Sequence, residues 1–391
     1  MNRIYKGLFA GILLVTLTAT FLASPVLAIP PDPDNAALLY YQGFLTLAQL
    51  EEVAWDHISN VARGKTEPDD KAREYISKCV GAIQFAEAAT KVPTCHWGIR
   101  YSQGLDALMP QLSQARRLTF VLITDARIRA ADGDYKGALE RCLLTKTFAL
   151  HIGDDTTVSY LVSLAVRGQV YLCMRDVIGR AAGDADLLKW LKNELLTSPG
   201  NGLSLVRPLK IEIEIMTDLM RVENVEKMAR AMMNDYDKKK ADEIVKTATA
   251  RTLEQAKRLY SERMNSALTV LSTPMPYEQA HSRLNQLADG FDEDDPASRT
   301  AGAFMPALGK ILLQKTLVDT QANAIKAAIE ILLDRAKAGR LADELPAGLP
   351  KDAFSGKDFE YEKTKEGFVL RCRDKDLGKN EHYQYEFKLS K

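Results

Sequence analysis

The sequence predicts a mostly α-helical protein, built from irregular antiparallel helical hairpins and ending in a small three-stranded antiparallel β tail. Apolar residues recur at helical spacing from residue 36 to about residue 340. Stretches near the C-terminus instead alternate between apolar and polar residues, as in residues 383–389 (Tyr-Gln-Tyr-Glu-Phe-Lys-Leu). These two periods, about 3.6 and 2 residues, distinguish amphipathic helices from half-buried strands.

The N-terminal segment has the charged, apolar and small-residue order of a secretory signal. Arg3 and Lys6 precede an apolar run over residues 8–23, and Ser-Pro-Val-Leu-Ala follows it. The sequence therefore predicts an exported, periplasmic or secreted protein with a signal peptide at residues 1–28 that is cleaved after Ala28. The alternative is an uncleaved helix that anchors the protein, since about 20 apolar residues span a bilayer. Pro25 and an extended, Pro-rich lead at residues 29–35 favour cleavage.

A helical hairpin domain is predicted over residues 36–197. Asn35 is placed to cap its first helix, and Asp69 is placed to cap a later one. Residues 158–178 are apolar nearly all round, which is typical of a central helix. Residues 133–139 look like the second half of a tetratricopeptide unit, but no regular further copy follows, so irregular hairpins are expected rather than a repeat array.

A second helical region is predicted over residues 203–340. The boundary before it is a Ser-Pro-Gly-Asn-Gly stretch at residues 198–202. Just after the boundary, residues 209–215 alternate like a strand. Leu209 and Met216 nevertheless lie on one helical face, and no turn signal interrupts them, so a helix is expected.

The β tail is predicted over residues 341–391, with strands near residues 359–364, 367–373 and 383–389. Three short strands are stable only when their apolar face packs against another element. The last long helix, which carries Ile325, is expected to provide that support.

Two groups of motifs in the sequence resemble those of known protein families. The first consists of Cys95-His-Trp-Gly98, Gly104, Leu108-Met-Pro110, Arg117-Leu118 and Gly133-Asp-Tyr135. It resembles a family of exported, uncharacterised helical bacterial proteins. The second consists of Gly339-Arg340, Leu345-Pro346, Leu349-Pro-Lys-Asp352, Phe354-Ser-Gly-Lys357 and Phe359-Glu-Tyr361. It is similar to the end of that family and to the helix-to-sheet passage of type II secretion pseudopilins, although Ala353 stands where that passage usually has proline. The resemblance implies structural motifs without an assigned activity, or an envelope-anchored component related to secretion.

Charge and cysteine content narrow the function classes. The chain has 52 basic and 52 acidic residues, and this balance argues against a nucleic-acid-binding protein.

The cysteines of an exported protein can be oxidised to disulfides, because the compartment outside the cytosol is oxidising. The chain has five cysteines, and this odd number leaves at least one unpaired. Cys79 and Cys95, the closest two in sequence, are the candidate disulfide. The alternative is that the cysteines are buried free thiols that pack as small apolar residues.

Catalytic and metal-binding motifs are not found in the sequence. The five histidines do not form an HExxH pattern, and the chain has no GxSxG, GxxxxGK[ST] or GxGxxG signature. The acidic residues 292–295 lack the spacing of an EF-hand loop. No residue is therefore assigned to catalysis, to a cofactor or to a metal.

The sequence thus favours a non-catalytic binding or scaffolding protein of the cell envelope with a protein partner there. A membrane contact is expected only if the N-terminal segment stays uncleaved. The alternatives are a secreted enzyme of unrecognised type and an envelope-anchored component related to secretion.

Overall fold

The computed structural model describes residues 32–107, 109–153, 155–197, 204–232, 238–375 and 382–389. The predicted signal peptide at residues 1–28, its cleavage after Ala28 and the boundary at residues 198–202 lie outside these ranges. Residues 35–391 form one compact unit. The predicted division of that unit at residues 197 and 340 stays a prediction.

The chain is mostly helical and ends in a small three-stranded antiparallel sheet, as the sequence predicts. The first helices are α1 (Ala36–Leu45), α2 (Glu52–Ala62), α3 (Asp70–Ser77), α4 (Val80–Ala89), α5 (Pro110–Ala131), α6 (Tyr135–Ile152), α7 (Thr157–Arg180) and α8 (Ala185–Thr197). The later helices are α9 (Val206–Leu219), α10 (Val222–Met232), α11 (Lys238–Thr247), α12 (Ala250–Ser272), α13 (Tyr277–Asp289), α14 (Pro296–Ala303) and α15 (Leu308–Ala338). The strands are β1 (Glu360–Lys363), β2 (Gly367–Lys375) and β3 (His382–Lys388). The strand-like alternation of residues 209–215 lies within α9, so the expected helix is confirmed.

Polar side chains fix where several helices begin. The side chains of Asn35 and Asp69 accept hydrogen bonds from backbone N–H groups in the first turns of α1 and α3, as the sequence predicts. Thr156 and Ser159 form a reciprocal capping box at the start of α7. Each cap satisfies N–H groups that the helix itself leaves without acceptors, which is worth about 1 kcal/mol.

The main core surrounds α5, α6 and α7, which pack against one another as consecutive antiparallel neighbours. More than half of the residues of α7 are buried, and they are spread from Thr157 to Gly179, as expected for a central helix. A smaller apolar cluster lies apart from this core, and it joins α10, α11 and the start of α12 through Val225, Ala229, Ala241, Ile244 and Leu253.

The sheet has the order β1-β2-β3 and buries one face. Phe368 pairs with Phe387, and Leu370 pairs with Tyr385, across β2 and β3. The sheet packs on α15, as predicted, and also on α7. Gly179 of α7 makes the second contact close, because a Cβ atom there would lie 2.1 Å from the backbone oxygen of Lys388.

The passage from α15 to the sheet is held by one buried carboxylate. Asp352 accepts hydrogen bonds from the backbone N–H of Phe354 at 2.9 Å, from the Ser355 hydroxyl at 2.7 Å and from the backbone N–H of Arg373 at 3.1 Å. The motif over residues 349–357 therefore has a structural role, since its aspartate ties the passage to β2. Within the described ranges, no helix is both long and apolar enough to cross a membrane.

Candidate functional site

An apolar cavity of about 600 Å³ lies where four parts of the fold meet. Its walls come from the loop that holds Tyr101 and Met109, the first turns of α7, one face of α9, and the junction of α14 and α15. Cavities of roughly 300–1,000 Å³ with apolar walls and a few polar groups are typical of small-molecule sites. We call this space the apolar cavity.

The walls of the apolar cavity are formed by aliphatic, aromatic and methionine side chains, including Ile211, Met216 and Ile311. Val158 and Leu161 of α7 also line the cavity, and they remain 52% and 36% exposed to solvent. Exposed apolar surface costs about 25 cal/mol per Å², so a ligand that covers it is stabilised in proportion to the area covered. The cavity therefore presents a surface that favours apolar occupants.

A single glycine shapes one wall of the apolar cavity. Gly104 has a φ of +56°, a region that favours glycine, and it forms a sharp turn beside Tyr101. A Cβ atom at this position would lie 2.6 Å from a methyl carbon of Leu219 on α9. The glycine thus allows the turn to sit directly against α9. Gly104 belongs to the motif set that the sequence singles out, but its spacing alone does not reveal this contact.

Glu212 is the carboxylic acid at the wall of the apolar cavity among the described lining residues. Burial raises its pKa, and a hydrogen bond donated by the Thr157 hydroxyl to Oε2 partly offsets that effect. The hydroxyl of Tyr260 on α12 is fully buried and has no hydrogen-bond partner within the described part of the chain. Burial raises the pKa of Tyr260, and the nearby charge of Glu212 raises it further. Glu212 is therefore a carboxyl group held in a weakly polar environment, where its neutral form is favoured.

The rim of the apolar cavity carries two exposed polar side chains, Lys310 and Gln314, one turn apart on α15. Lys310 forms no ion pair with any residue that the structure describes. Together with Glu212, these groups give the cavity a few polar positions around an apolar interior.

The candidate disulfide residues lie elsewhere. Cys79 is buried at the start of α4, and Cys95 is half-buried in the loop after it. All five cysteines fall within the described ranges, and each is a free thiol. Burial raises the pKa of Cys79, while burial and then the charge of Asp155 raise the pKa of Cys95 to about 12. The Cys79–Cys95 bond stays a prediction, and the raised pKa of each thiol disfavours the reactive thiolate form.

The Cys95-His-Trp-Gly98 motif has a structural role in this fold. The Trp97 indole donates a hydrogen bond to the backbone oxygen of His151 at 2.7 Å, and Nδ1 of His151 lies 2.9 Å from the Tyr40 hydroxyl. The rings of Tyr40 and Trp97 stack with their centroids 5.5 Å apart. The motif therefore joins α1 to the end of α6. Burial lowers the pKa of His151, so its neutral form is favoured.

The remaining candidate groups are also used locally. Nε2 of His57 lies 2.8 Å from Oδ1 of Asp69, and Nδ1 of His382 lies 2.9 Å from the backbone oxygen of Cys372. In the acidic loop, Asp295 caps α14 by accepting from the backbone N–H of Ser298 at 2.7 Å. Across the described part of the chain, no three His, Cys, Asp or Glu side chains are grouped so that they could hold a metal ion.

A buried group of cations lies between α6, α7 and α15 and is not visible in the sequence. Lys146 and Arg167 are almost completely buried, and Lys326 and Asp319 are close to them. Burial, followed by the charges of Arg167 and Lys326, lowers the pKa of Lys146 to about 8. We call these four residues the basic cluster. The carboxylate of Asp319 acts on Lys326 and also forms an ion pair with Lys315, with 2.6 Å between Nζ and Oδ2. Among these four residues the three cations outnumber the one carboxylate, and the lowered pKa of Lys146 makes the folded state sensitive to its protonation.

Comparison with known proteins gives no match to a family model, to a curated protein or to a solved structure. The resemblance to exported helical proteins and to pseudopilins therefore stays a prediction.

Proposed function

We propose that this protein is a non-catalytic, exported binding protein of the cell envelope that holds an apolar small molecule in the apolar cavity. The observation that carries the proposal is the combination of volume and lining. A space of about 600 Å³ is bounded by apolar side chains from four segments, and two of those side chains, Val158 and Leu161, remain exposed to solvent. Binding of an apolar molecule that replaces water in such a space lowers the free energy of the system.

The polar groups support binding over catalysis. General acid–base chemistry needs a donor and an acceptor with matched pKa values within hydrogen-bond reach of the reacting atoms. The described wall offers one carboxyl, Glu212, with Thr157 as its donor and apolar side chains around it. This arrangement can orient one polar group of a ligand while the rest of the ligand is held by contact area.

Calorimetry with a series of straight-chain alcohols tests the proposal. Each added methylene contributes about 0.8 kcal/mol when it is buried, which corresponds to an affinity increase of about fourfold. Ile211→Trp places a large ring in the cavity and is expected to weaken binding by at least about tenfold. The matched control is Leu196→Trp, because Leu196 is 63% exposed on α8 and does not line the cavity. Affinity that does not rise with chain length, or that is equally strong in Ile211→Trp, would refute the proposal.

Export is part of the same proposal and is supported by the order of residues at the N-terminus. Expression of the full chain in a bacterium, followed by mass spectrometry of the mature N-terminus, tests it directly. We expect Ile29 as the first residue of protein recovered from the envelope or the medium. Full-length protein that accumulates in the cytosol with residues 1–28 attached would contradict it.

Exposed apolar side chains at one end of the helical hairpins favour a second candidate function, which is scaffolding through a protein partner. Leu45 at the end of α1 and Val53 at the start of α2 are 85% and 77% exposed. Contiguous exposed apolar patches mark protein interaction sites, and we propose that these two side chains contribute to such a patch. Cross-linking in envelope fractions should capture one partner that is lost in the Leu45→Glu, Val53→Glu double variant and kept in the control Val222→Glu. A cross-linking pattern that is identical in all three proteins would exclude this surface.

A further inference from the structure

Two buried thiols face each other in the central helical hairpin. Cys142 lies on α6 and Cys173 lies on α7, and both are completely buried. The Cys142 thiol donates a hydrogen bond to the sulfur of Cys173. The sulfur atoms are therefore neighbours, although the two residues are widely separated in sequence.

The register of the hairpin explains this proximity independently of any single side-chain rotamer. α6 and α7 are antiparallel neighbours, and nearer to their connection the Ser163 hydroxyl donates to the backbone oxygen of Ala149. Cys142 and Cys173 lie about two to three turns farther from the connection, on the facing sides of the same two helices. A shift of the two helices that separated the thiols would also break the bond between Ser163 and Ala149.

The surroundings favour Cys173 as the thiolate and Cys142 as the thiol, because the hydrogen bond between them, together with burial, raises the pKa of Cys142 well above its ordinary value. The hydrogen bond from Cys142 lowers the pKa of Cys173, and the positive charges of Arg127 and Arg180 add to this effect. Burial and the charge of Asp176 oppose it, and the pKa remains below its ordinary value. Arg141 is also close to the pair. The thiolate is the reactive form of cysteine in disulfide exchange, and nearby arginines stabilise it.

We propose that Cys142 and Cys173 form an intramolecular disulfide when the chain folds in an oxidising compartment. The oxidant is a disulfide-bearing molecule, such as a thiol–disulfide oxidoreductase or oxidised glutathione. The Cys173 thiolate attacks one sulfur of the oxidant and releases the first thiol, which gives a mixed disulfide. Cys142 then gives its proton to the leaving group as its sulfur attacks the sulfur of Cys173 in the mixed disulfide, and the second thiol of the oxidant is released. The two cysteines lose two electrons and two protons, and the disulfide of the oxidant is reduced to two thiols.

This pairing differs from the one that sequence spacing suggests. The sulfur of Cys79 accepts a hydrogen bond from the backbone of Ala48, and Cys95 is influenced by the charge of Asp155. The Cys142–Cys173 pair closes a longer loop, which spans residues 142–173. Cross-links that close longer loops restrict the unfolded chain more strongly.

Peptide mapping of the full chain tests the proposal. The protein is unfolded, refolded in a buffer of oxidised and reduced glutathione, quenched with acid, alkylated in denaturant and digested without reductant. A parallel sample of natively purified protein is equilibrated in the same buffer, so that a low refolding yield does not decide the result. We expect a linked pair of peptides that contains Cys142 and Cys173, while Cys372 is recovered alkylated.

A thermal shift provides the second readout. We expect the oxidised protein to melt roughly 5 °C above the reduced protein. Cys142→Ala should abolish this difference, whereas the matched control Cys372→Ala, which removes another buried thiol, should retain it. Recovery of Cys142 and Cys173 as separately alkylated residues in both samples overturns the proposal. Linkage of Cys79 to Cys95 without linkage of Cys142 to Cys173 also overturns it.

Discussion

Replacement of Lys146 by methionine should change how the stability of the protein depends on pH. The pKa of Lys146 is lowered from 10.5 to about 8 in the folded chain, chiefly by burial and then by Arg167 and Lys326. At about 1.36 kcal/mol for each pKa unit, the folded state carries a penalty of about 3 kcal/mol when Lys146 is protonated. Methionine has a similar length and carries no charge, so the variant lacks this penalty at every pH.

The direction follows from proton linkage. Between about pH 8 and pH 10.5 the unfolded chain holds a proton on this lysine that the folded chain has released, so stability rises with pH in that window. Relative to Lys146→Met, the free energy of unfolding of the wild-type protein should therefore increase by about 2 kcal/mol between pH 7 and pH 9.5, which means greater stability. The comparison at each pH cancels the titration of all other groups that the two proteins share.

Urea denaturation at a series of pH values, followed by circular dichroism, measures the effect. Lys136→Met is the matched control, because Lys136 lies on the same helix but is exposed and pairs with Glu140 at the surface. The difference between wild type and this control should stay constant with pH. A constant difference for Lys146→Met as well would show that the pKa of Lys146 is not lowered on folding, and would refute this reasoning.

Three further substitutions test the packing and the site. Gly179→Ala forces α7 away from the backbone of β3 and should cost about 1–3 kcal/mol in the free energy of unfolding, whereas Gly183→Ala, with open space around it, should be close to neutral. Arg141→Met removes a buried partner of Asp125 and should cost about 3 kcal/mol in urea denaturation, while Arg340→Met at an exposed pair should have a much smaller effect. Glu212→Gln should raise the melting temperature at neutral pH, because a carboxyl whose pKa is raised on folding loses stability as it ionises. That gain should vanish below the ordinary pKa of 4.5, and a gain that persists in acid would show that ionisation is not its cause.

The fold was predictable because its determinants are local. Asn35 and Asp69 cap helices where the sequence places them, and the alternation in the last strand buries Tyr385 and Phe387 on one face. The role of Gly179 could not be predicted in this way. Nothing in the sequence near Gly179 indicates that a strand some 200 residues later lies against it, because that contact depends on how α7 and β3 pack.

The candidate site could not be predicted for the same reason. Glu212 and Thr157 are far apart in the chain and meet only because α7 and α9 pack side by side. Tyr260 and Lys146 are ordinary residues in amphipathic helices until burial changes their pKa values. The Cys142–Cys173 contact depends on the register of one hairpin, whereas sequence spacing favoured Cys79 and Cys95. Local motifs thus identified elements and caps, and the chemistry of the interior came from long-range packing.

The central claim is that the apolar cavity takes up an apolar molecule. Native mass spectrometry of the full chain, expressed with its N-terminal segment and purified from the envelope without detergent, tests it most directly. We expect the wild-type protein to carry an added mass that organic extraction identifies as an apolar compound, and Ile211→Trp to lack that mass although it folds. Wild-type protein that carries no added mass, and that gains none when it is incubated with long-chain alcohols, would contradict the account.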